Sequence, residues 1–213
     1  MIIVDQSAEI LFPHAENGEA CLKAIEHAGR NCYASYDKVT EDSYKTFVAN
    51  LLKRGHETPT EFADMTVAIV TSRAVLAELT RHRLASFCVE SQRYIQEAKT
   101  GDITFIKPLW YDDAEEDDTS AIWHSTMRMI EQSYKHQIDN GAKPQDAREV
   151  LPNSTACRII MKANLREWRH VFDLRCSSAA YPPMRELMKD ILRQAHDRIP
   201  IIFDDLYEKY ISE

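Results

Sequence analysis

The chain has 213 residues, of which 44% are hydrophobic and 28% are charged, and its formal net charge is −8. This length and composition are typical of an ordinary globular protein, and we expect residues 1–213 to form a single domain. The acidic balance disfavours general binding to nucleic acid or to an anionic membrane, because long-range repulsion opposes both.

Targeting and cysteine patterns both indicate a cytoplasmic protein. The first fourteen residues, MIIVDQSAEILFPH, lack the basic region and apolar core of a signal peptide. No stretch approaches the roughly 18 apolar residues that a membrane-spanning helix needs. The five cysteines are odd in number and never spaced C-x-x-C, so we expect reduced thiols, with neither a disulfide framework nor a metal site.

The first half of the chain predicts a helix, a strand and a second helix. Apolar residues recur at helical spacing over 40–54, and Gly55 stops the run. ADMTVAIVT (63–71) alternates apolar and polar residues, which predicts a half-buried strand. Ser72 is a suitable N-cap for a helix over RAVLAELTRHRLA (73–85).

The middle of the chain predicts an extended segment, an acidic loop and a long helix. TGDITFIKPLW (100–110) has an extended pattern, and six carboxylates between 112 and 118 indicate a solvated loop. A helix is predicted over 119–139, with an apolar face formed by Ile122, Met129, Ile130 and Tyr134.

The last third predicts mainly helices around one strand. A short helix begins at Pro144, a strand covers 155–163 and a helix covers 164–175. The tail over 184–210 is helical with a break near Pro200. The chain lacks the regular alternation of a Rossmann fold and its glycine-rich loop. We therefore expect an α+β fold with a central, mostly antiparallel sheet flanked by helices.

A basic cluster lies in RHRLASFCVESQRY (81–94). On the predicted helix, Glu78, Arg81 and His82 share one face, whereas Arg83 lies about 200° from Arg81. Arginine suits phosphate because its planar guanidinium binds bidentately and stays charged. The segment is therefore either a solvated basic helix end or a binding element that addresses two pockets.

Beyond Ser86 the same segment is expected to be extended, which places Ser91 and Arg93 on one side. Cys88 lies among these cations and has three possible roles, as a nucleophile, as a ligand or in packing. A nearby cation lowers the pKa of a thiol and favours the first role. A small apolar filler is the commoner role of cysteine, and we expect no covalent catalysis by Cys88.

A second basic cluster runs from Arg148 to Arg175 and contains six basic and three acidic residues. Asn164 and Arg175 are eleven residues apart, which on a helix gives nearly the same face and about 16 Å of rise. That span matches an elongated ligand or two ligands end to end. We assign three apolar residues of this helix to the core, namely Leu165, Trp168 and Phe172.

These motifs together resemble the flavin-dependent thymidylate synthase family. Arg81 to Ser91 form its R-H-R-x7-S signature, and HETPTEF (56–62), AREVLPNST (147–155) and ANLREWRHVFDLR (163–175) resemble further family segments. The similarity covers about Arg30 to Ile191. It implies reductive methylation of dUMP to dTMP, with methylenetetrahydrofolate as carbon donor and NADPH as reductant through FAD. It also implies a homotetramer with active sites shared between subunits.

The resemblance assigns the site residues. Arg175 matches the arginine that contacts the uracil and stabilises its negative charge, a catalytic role. Positions matching the flavin site are Thr58, Arg81, His82, Arg83, Val89, Asn164, Arg166 and His170, with His56 nearby. Positions matching the dUMP site are Glu78, Arg81, Ser91, Gln92, Arg93, Arg148 and Arg175. The family requires no metal.

Some positions depart from the family pattern. Glu78 occupies a position where the family usually has Gln, and Phe62 a position where His is common. Cys88 occupies a position where many members have Asn or Ser, and Val89 replaces a polar residue. A flavin-dependent dUMP hydroxymethylase, or another pyrimidine-modifying homologue, is therefore the alternative within the same fold. From other classes, a catalytically inactive nucleotide-binding homologue and a nucleic-acid-binding module are further hypotheses. Nucleic acid is disfavoured because the basic residues form no single stripe.

Overall fold

The computed structural model describes residues 1–13, 18–93, 102–112 and 118–212. Its strands and helices divide into two compact units. Among the described residues, every helix is too short or too polar to cross a membrane.

Strands and helices are interspersed along the chain, as the sequence predicts. The strands are β1 (Ile2–Val4), β2 (Ser7–Phe12), β3 (Asp64–Ser72), β4 (Ala85–Val89), β5 (Thr104–Ile106) and β6 (Ala156–Asn164). The helices are α1 (Gly18–Cys32), α2 (Ser43–Lys53), α3 (Arg73–Leu79), α4 (Asp118–Asp139), α5 (Pro144–Ala147), α6 (Leu165–Arg175), α7 (Pro182–Arg198) and α8 (Pro200–Tyr210). Short 3-10 helices cover Tyr36–Lys38, Thr58–Phe62 and Arg148–Val150.

The main sheet has four strands in the order β2-β3-β6-β4 and is mostly antiparallel. β3 and β6 run in opposite directions, since Leu165 N–H donates to the Ala63 carbonyl at one end and Arg73 N–H donates to Thr155 at the other. Buried and half-buried residues alternate along β3. This sheet and its helices confirm the predicted α+β class.

One compact unit comprises Met1–Ser7, Ile69–Arg81 and Cys88–Ile159. It contains the parallel pair β1–β5, in which Ile3 pairs with Phe105. Its apolar cluster is formed by Ile103, Phe105, Met127, Tyr134 and Ala147. The amino group of Met1 bonds Asp102 at 2.7 Å, which fixes the start of the chain to this unit.

The other compact unit comprises Ala8–Ala68, His82–Phe87 and Ile160–Glu213. Its core includes Trp168, Phe172 and Phe203. The Phe172 ring contacts both others with centroids 5.5 Å apart, tilted against Trp168 and edge-to-face against Phe203. Trp168 also donates its indole N–H to the Met65 carbonyl at 2.9 Å. The core assignment of Leu165, Trp168 and Phe172 is confirmed, since all three are fully buried.

The predicted helix over 73–85 is too long. α3 ends at Leu79, and the Thr80 hydroxyl donates to the Leu76 carbonyl, so that Arg81, His82 and Arg83 form a turn before β4. The prediction that Glu78, Arg81 and His82 share one helix face is therefore wrong.

Two further expectations are corrected. Ser91 and Arg93 lie past the end of β4 in a turn, where the Ser91 hydroxyl accepts from Arg93 N–H at 3.3 Å. Ile122 and Met129 are not core residues of α4, since they are 65% and 61% exposed. The acidic loop lies mostly outside the described residues, as does the start of the extended segment at 100–101.

Candidate functional site

The signature turn exposes two of its cations and buries its histidine. Arg81 and Arg83 are exposed, whereas His82 between them is 5% exposed. Within the described part of the chain, neither arginine forms an ion pair with a carboxylate, although the protein is acidic. Both guanidinium groups are therefore available to an anionic ligand.

His82 joins the signature to the end of α6. Nε of Arg175, which is half-buried, donates to Nε2 of His82 at 3.0 Å. The accepting nitrogen carries no proton, so a neutral His82 holds its proton on Nδ1. Two motifs that are 93 residues apart in sequence thus meet through one hydrogen bond.

The environment of His82 favours its neutral form. Burial first, and then electrostatic repulsion from Arg175 and the neighbouring His170, lowers the pKa of His82 to about 4. On the other side of the ring, Nδ1 lies 3.6 Å from a carboxylate oxygen of Glu167. Burial also raises the pKa of Glu167 above its ordinary value. The neutral imidazole is what allows Arg175 to donate to it.

His82, Glu167 and His170 bring possible ligand atoms within 4.8 Å of one another. A metal ion on Nδ1 of His82 would require the proton on Nε2, where Arg175 already donates. A metal ion on Nε2 would displace that arginine. The cluster therefore suits the arginine–histidine hydrogen bond and does not suit a cation.

A cleft of about 980 Å³ lies in the second compact unit. Three residues predicted for the flavin site line it, namely Asn164, Arg166 and His170, and Leu84 of the signature turn joins them. Asn164 is placed by its role as N-cap of α6, since its side-chain oxygen accepts from Glu167 N–H at 2.8 Å. One helix thus presents the predicted residues to the cleft.

Each cation that lines the cleft is already paired with a carboxylate. Arg166 bonds Glu61 at 2.6 Å, and Lys209 bonds Asp173 at 2.8 Å. Arg169 makes a bidentate bond to Asp205 at 2.8 and 2.7 Å, and this pairing raises the pKa of a guanidinium that burial alone would lower. The cleft therefore offers polar and apolar contacts to a neutral ring, and its own cations are occupied.

The predicted nucleotide residues lie mostly in the first compact unit. Ser91 and Gln92 are half-buried, and Arg93 is exposed. The amide nitrogen of Gln92 is buried without a hydrogen-bond partner among the described residues. Because an unpaired buried donor costs roughly 1–3 kcal/mol, Gln92 is a suitable donor to a ligand oxygen.

The remaining predicted residues are placed as follows. Arg148 is half-buried, and its Nε donates to the Gln145 carbonyl at 3.2 Å. Glu78 and Val89 are half-buried in the first unit, and Thr58 is exposed in the second. The residues of the two predicted sites are divided between the two units. The first unit contains Glu78, Arg81, Val89, Ser91, Gln92, Arg93 and Arg148. The second unit contains Thr58, His82, Arg83, Asn164, Arg166, His170 and Arg175.

Two departures from the family pattern are on the surface. Phe62 is 67% exposed at the end of its 3-10 helix. Cys88 is exposed on β4, so of its three possible roles, packing in the core of this chain is excluded. The buried thiols are elsewhere, and burial raises the pKa of Cys157 to about 11 and of Cys176 to about 12.

Sequence reasoning missed the carboxylates of the site. Glu167 lies beside His82, and Glu57, Glu61 and Asp205 line the cleft. The signal for Glu167 was its spacing of three residues from Asn164, the pattern of a capping box. Glu57 and Glu61 lie within the HETPTEF motif (56–62), about a hundred residues before α6, and only the tertiary fold brings them and Asp205 together.

Comparison with known proteins gives three kinds of match. Residues 16–201 match the family model described as thymidylate synthase complementing protein. A probable flavin-dependent thymidylate synthase of Mycobacterium phage L5 is 35% identical over 195 residues, covering 85% of this chain and 79% of the relative. A flavin-dependent thymidylate synthase of Geobacter sulfurreducens is 32% identical over 202 residues, covering 92% of this chain and 84% of the relative.

A solved structure with a similar fold is the UMP/dUMP methylase PolB from Streptomyces cacaoi, bound with 5-Br dUMP. The superposition of the two structures has a TM-score of 0.78 and covers 99% of this chain and 98% of the methylase chain, and the two sequences are 20% identical. At this identity the likeness supports the fold.

Proposed function

The chain belongs to the thymidylate synthase complementing protein family, the flavin-dependent thymidylate synthases, and we propose that it converts dUMP to dTMP. The observation that carries the proposal is the hydrogen bond between His82 of the signature and Arg175. It joins the two motifs that the family resemblance assigns to the flavin and to the pyrimidine.

The reaction replaces the hydrogen at C5 of dUMP with a methyl group. Methylenetetrahydrofolate supplies the carbon, a proton leaves C5, and two electrons reduce the methylene to methyl, releasing tetrahydrofolate. FAD, when bound, supplies those electrons as a hydride that it has taken from NADPH. The protein contributes binding, orientation and charge.

The described residues fit a flavin. The cleft beside Asn164, Arg166 and His170 offers about 980 Å³, enough for a planar ring system. Its own cations are paired with carboxylates, so the diphosphate requires others, and Arg81 and Arg83 have the chemistry for it. We assign those two arginines to the phosphates.

Arg175 is assigned to the pyrimidine. Methyl transfer to C5 requires negative charge to develop on the ring, and a fixed cation stabilises that charge most when no reorganisation is needed. The hydrogen bond from Nε to His82 restrains the orientation of the whole guanidinium group, because Nε and the two terminal nitrogens of arginine lie in one plane. His82 therefore positions Arg175, and its neutral form is required for this.

The nucleotide is assigned to Ser91, Gln92, Arg93 and Arg148, with Glu78 and Val89 at its border. The buried amide nitrogen of Gln92 needs an acceptor, and a carbonyl or phosphate oxygen of dUMP supplies one. A carboxylate at Glu78 disfavours a phosphate beside it, so we place the phosphate nearer Arg93 and Arg148.

A homotetramer with shared active sites is part of the proposal, as is a single domain over 1–213. The outward position of Arg81, Arg83 and Leu84 supports it, because Leu84 is 75% exposed next to cations that have no carboxylate partner in the described chain. Contact with a neighbouring subunit would bury that leucine and bring the arginines to a second site.

The test is product analysis with the purified protein. Flavin content is read from the absorption bands near 370 and 450 nm, roughly as for any flavin. The protein is then incubated with dUMP, methylenetetrahydrofolate and NADPH, and the nucleotide is analysed by mass. A product heavier by one methylene unit, and absent without flavin, supports the proposal. A hydroxymethyl product would favour the alternative enzyme, and no product with bound dUMP would favour an inactive homologue.

A further inference from the structure

A second cavity, of about 420 Å³, lies at the C-terminal ends of α1 and α2 in the second compact unit. Three cations line it, Arg30, Lys38 and Arg54, together with the aromatic rings of Tyr33 and Phe47. The lining contains no carboxylate. We call these five residues the basic pocket.

The pocket has a rigid floor. Gly29 allows Phe47 to approach α1 closely, since a Cβ at residue 29 would lie 2.5 Å from Phe47 Cε1. The Phe47 ring lies 4.3 Å from the guanidinium carbon of Arg30, and its centroid is 6.3 Å from that of Tyr33 in an edge-to-face arrangement. These contacts hold an aromatic surface next to a fixed cation.

The cations of the basic pocket differ from those of the main cleft. Arg30 is buried, and Glu26 balances its charge through bonds of 3.1 and 2.9 Å. Lys38 and Arg54 form no ion pair within the described part of the chain. The pocket therefore has two uncompensated positive charges beside an aromatic floor, in a protein of net charge −8.

One hydrogen bond links the basic pocket to the chain segment that lines the main cleft. The Tyr33 hydroxyl hydrogen-bonds Nδ1 of His56 at 2.7 Å, and the next residue, Glu57, lines the main cleft. A ligand that reacts in the main cleft and carries an anionic extension would therefore meet these cations. Both proposed co-substrates have such an extension, the glutamate carboxylates of the folate and the 2′-phosphate of NADPH.

We propose that the basic pocket binds the anionic end of a co-substrate, with Lys38 and Arg54 as the charge-binding residues. This inference rests on the proposed function. Phosphate and carboxylate share the same recognition chemistry, a charge-assisted hydrogen bond from lysine or arginine. The experiment below distinguishes the two sources.

The variants are Lys38→Glu, Arg54→Glu and the double variant, all at exposed positions. The control is Lys53→Glu, which makes the same charge change one residue from Arg54 but outside the pocket lining. KM is measured for two pairs of co-substrates. The first pair is NADPH and NADH, which differ in the 2′-phosphate, and the second is methylenetetrahydrofolate with one glutamate and with three. We expect the double variant to raise KM for NADPH, or for the triglutamate, by about tenfold or more. KM for NADH, or for the monoglutamate, should change far less, and the control should match the wild type.

A binding measurement separates the pocket from the reaction. Tri-γ-glutamate and adenosine 2′,5′-bisphosphate are titrated into the FAD-loaded protein by calorimetry. One of them should bind the wild type and the Lys53→Glu control, and lose that binding in the double variant. Wild-type protein that binds neither probe, or a double variant that matches the control in every KM, overturns the inference. Absence of dTMP formation by the wild type would instead refute the proposed function.

Discussion

At the scale of single residues, the position of the Arg175 guanidinium depends on the charge of His82. A protonated His82 would present an N–H to Nε of Arg175, which is itself a donor, and the hydrogen bond of 3.0 Å would be lost. Burial and the neighbouring cations therefore stabilise the protonation state that positions the arginine. Because folding lowers the pKa of His82, the stability of the protein is expected to depend on pH.

We expect the free energy of unfolding to fall as the pH decreases from about 6.5 to about 4. In that window the unfolded His82 takes up a proton, while the folded residue, with its pKa lowered to about 4, stays neutral. The loss is roughly 3 kcal/mol at most. Glu167 changes the free energy of unfolding in the opposite direction. Burial raises its pKa, so the folded protein takes up this proton more readily than the unfolded chain, and acidification stabilises the folded state at this residue.

The measurement is denaturant unfolding across this pH range for the wild type and for His82→Asn. Asparagine retains an acceptor for Arg175 but does not titrate, so the difference between the two curves isolates the contribution of His82 from that of Glu167. Parallel curves would show that His82 is not the titrating group.

Arg175→Ala should lower turnover by about two to three orders of magnitude, the scale for removing one charge stabiliser. FAD content should be retained, because the flavin is assigned to other residues. Arg158→Ala is the matched control, since Arg158 belongs to the same basic cluster in sequence but is exposed and pairs with Glu90. Near-normal turnover by the Arg175 variant would remove Arg175 from the mechanism.

At the scale of elements, local sequence patterns predicted the strands and helices that carry the motifs. β3, β6 and α6 follow from alternation, from helical spacing and from the Asn164 cap. α3 was predicted too long because apolar spacing continues past Leu79, whereas the Thr80 side chain competes for the backbone carbonyls of the last turn.

The contacts of the site were not predictable from local patterns. Nε of Arg175 meets His82 across 93 residues, and Arg166 meets Glu61 across 105. The charge count from Arg148 to Arg175 could not show that the fold pairs Arg166 and Arg169 with the carboxylates of Glu61 and Asp205. Family resemblance predicted which residues belong to the site, and the tertiary structure alone gave their partners.

The packing of α1 against α2 gives an element-scale prediction. Gly29→Ala would place a methyl carbon 2.5 Å from the ring of Phe47, which must move and would disturb the floor of the basic pocket. We expect a loss of about 1–3 kcal/mol in the free energy of unfolding, as for other overpacked sites. Thermal and denaturant unfolding measure it. A gain in stability, as helix propensity alone would give, would contradict the packing argument.

At the scale of the whole molecule, α4 exposes two apolar residues that nothing in the described part of the chain covers. Ile122 and Met129 are seven residues apart, so they lie on the same face of the helix, and both are more than half exposed. This explains why their helical spacing suggested a core position. In the proposed homotetramer, a subunit contact would bury them.

The double variant Ile122→Glu/Met129→Glu should therefore dissociate the assembly. Its molar mass, measured by light scattering after gel filtration, should fall below that of the wild type. Arg128→Glu is the control, because residue 128 is exposed on the same helix but lies about 100° from Met129. A tetramer that persists in the double variant would place the interface elsewhere.

The central claim, flavin-dependent methylation of dUMP, is tested most directly by a single turnover. The FAD-loaded protein is reduced without oxygen and mixed with dUMP and methylenetetrahydrofolate, while flavin absorbance and dTMP are followed together. The account predicts one dTMP per flavin, formed at the rate at which the flavin is reoxidised, because each methylene takes two electrons. Formation of dTMP without reoxidation of the flavin, or reoxidation without dTMP, would contradict it.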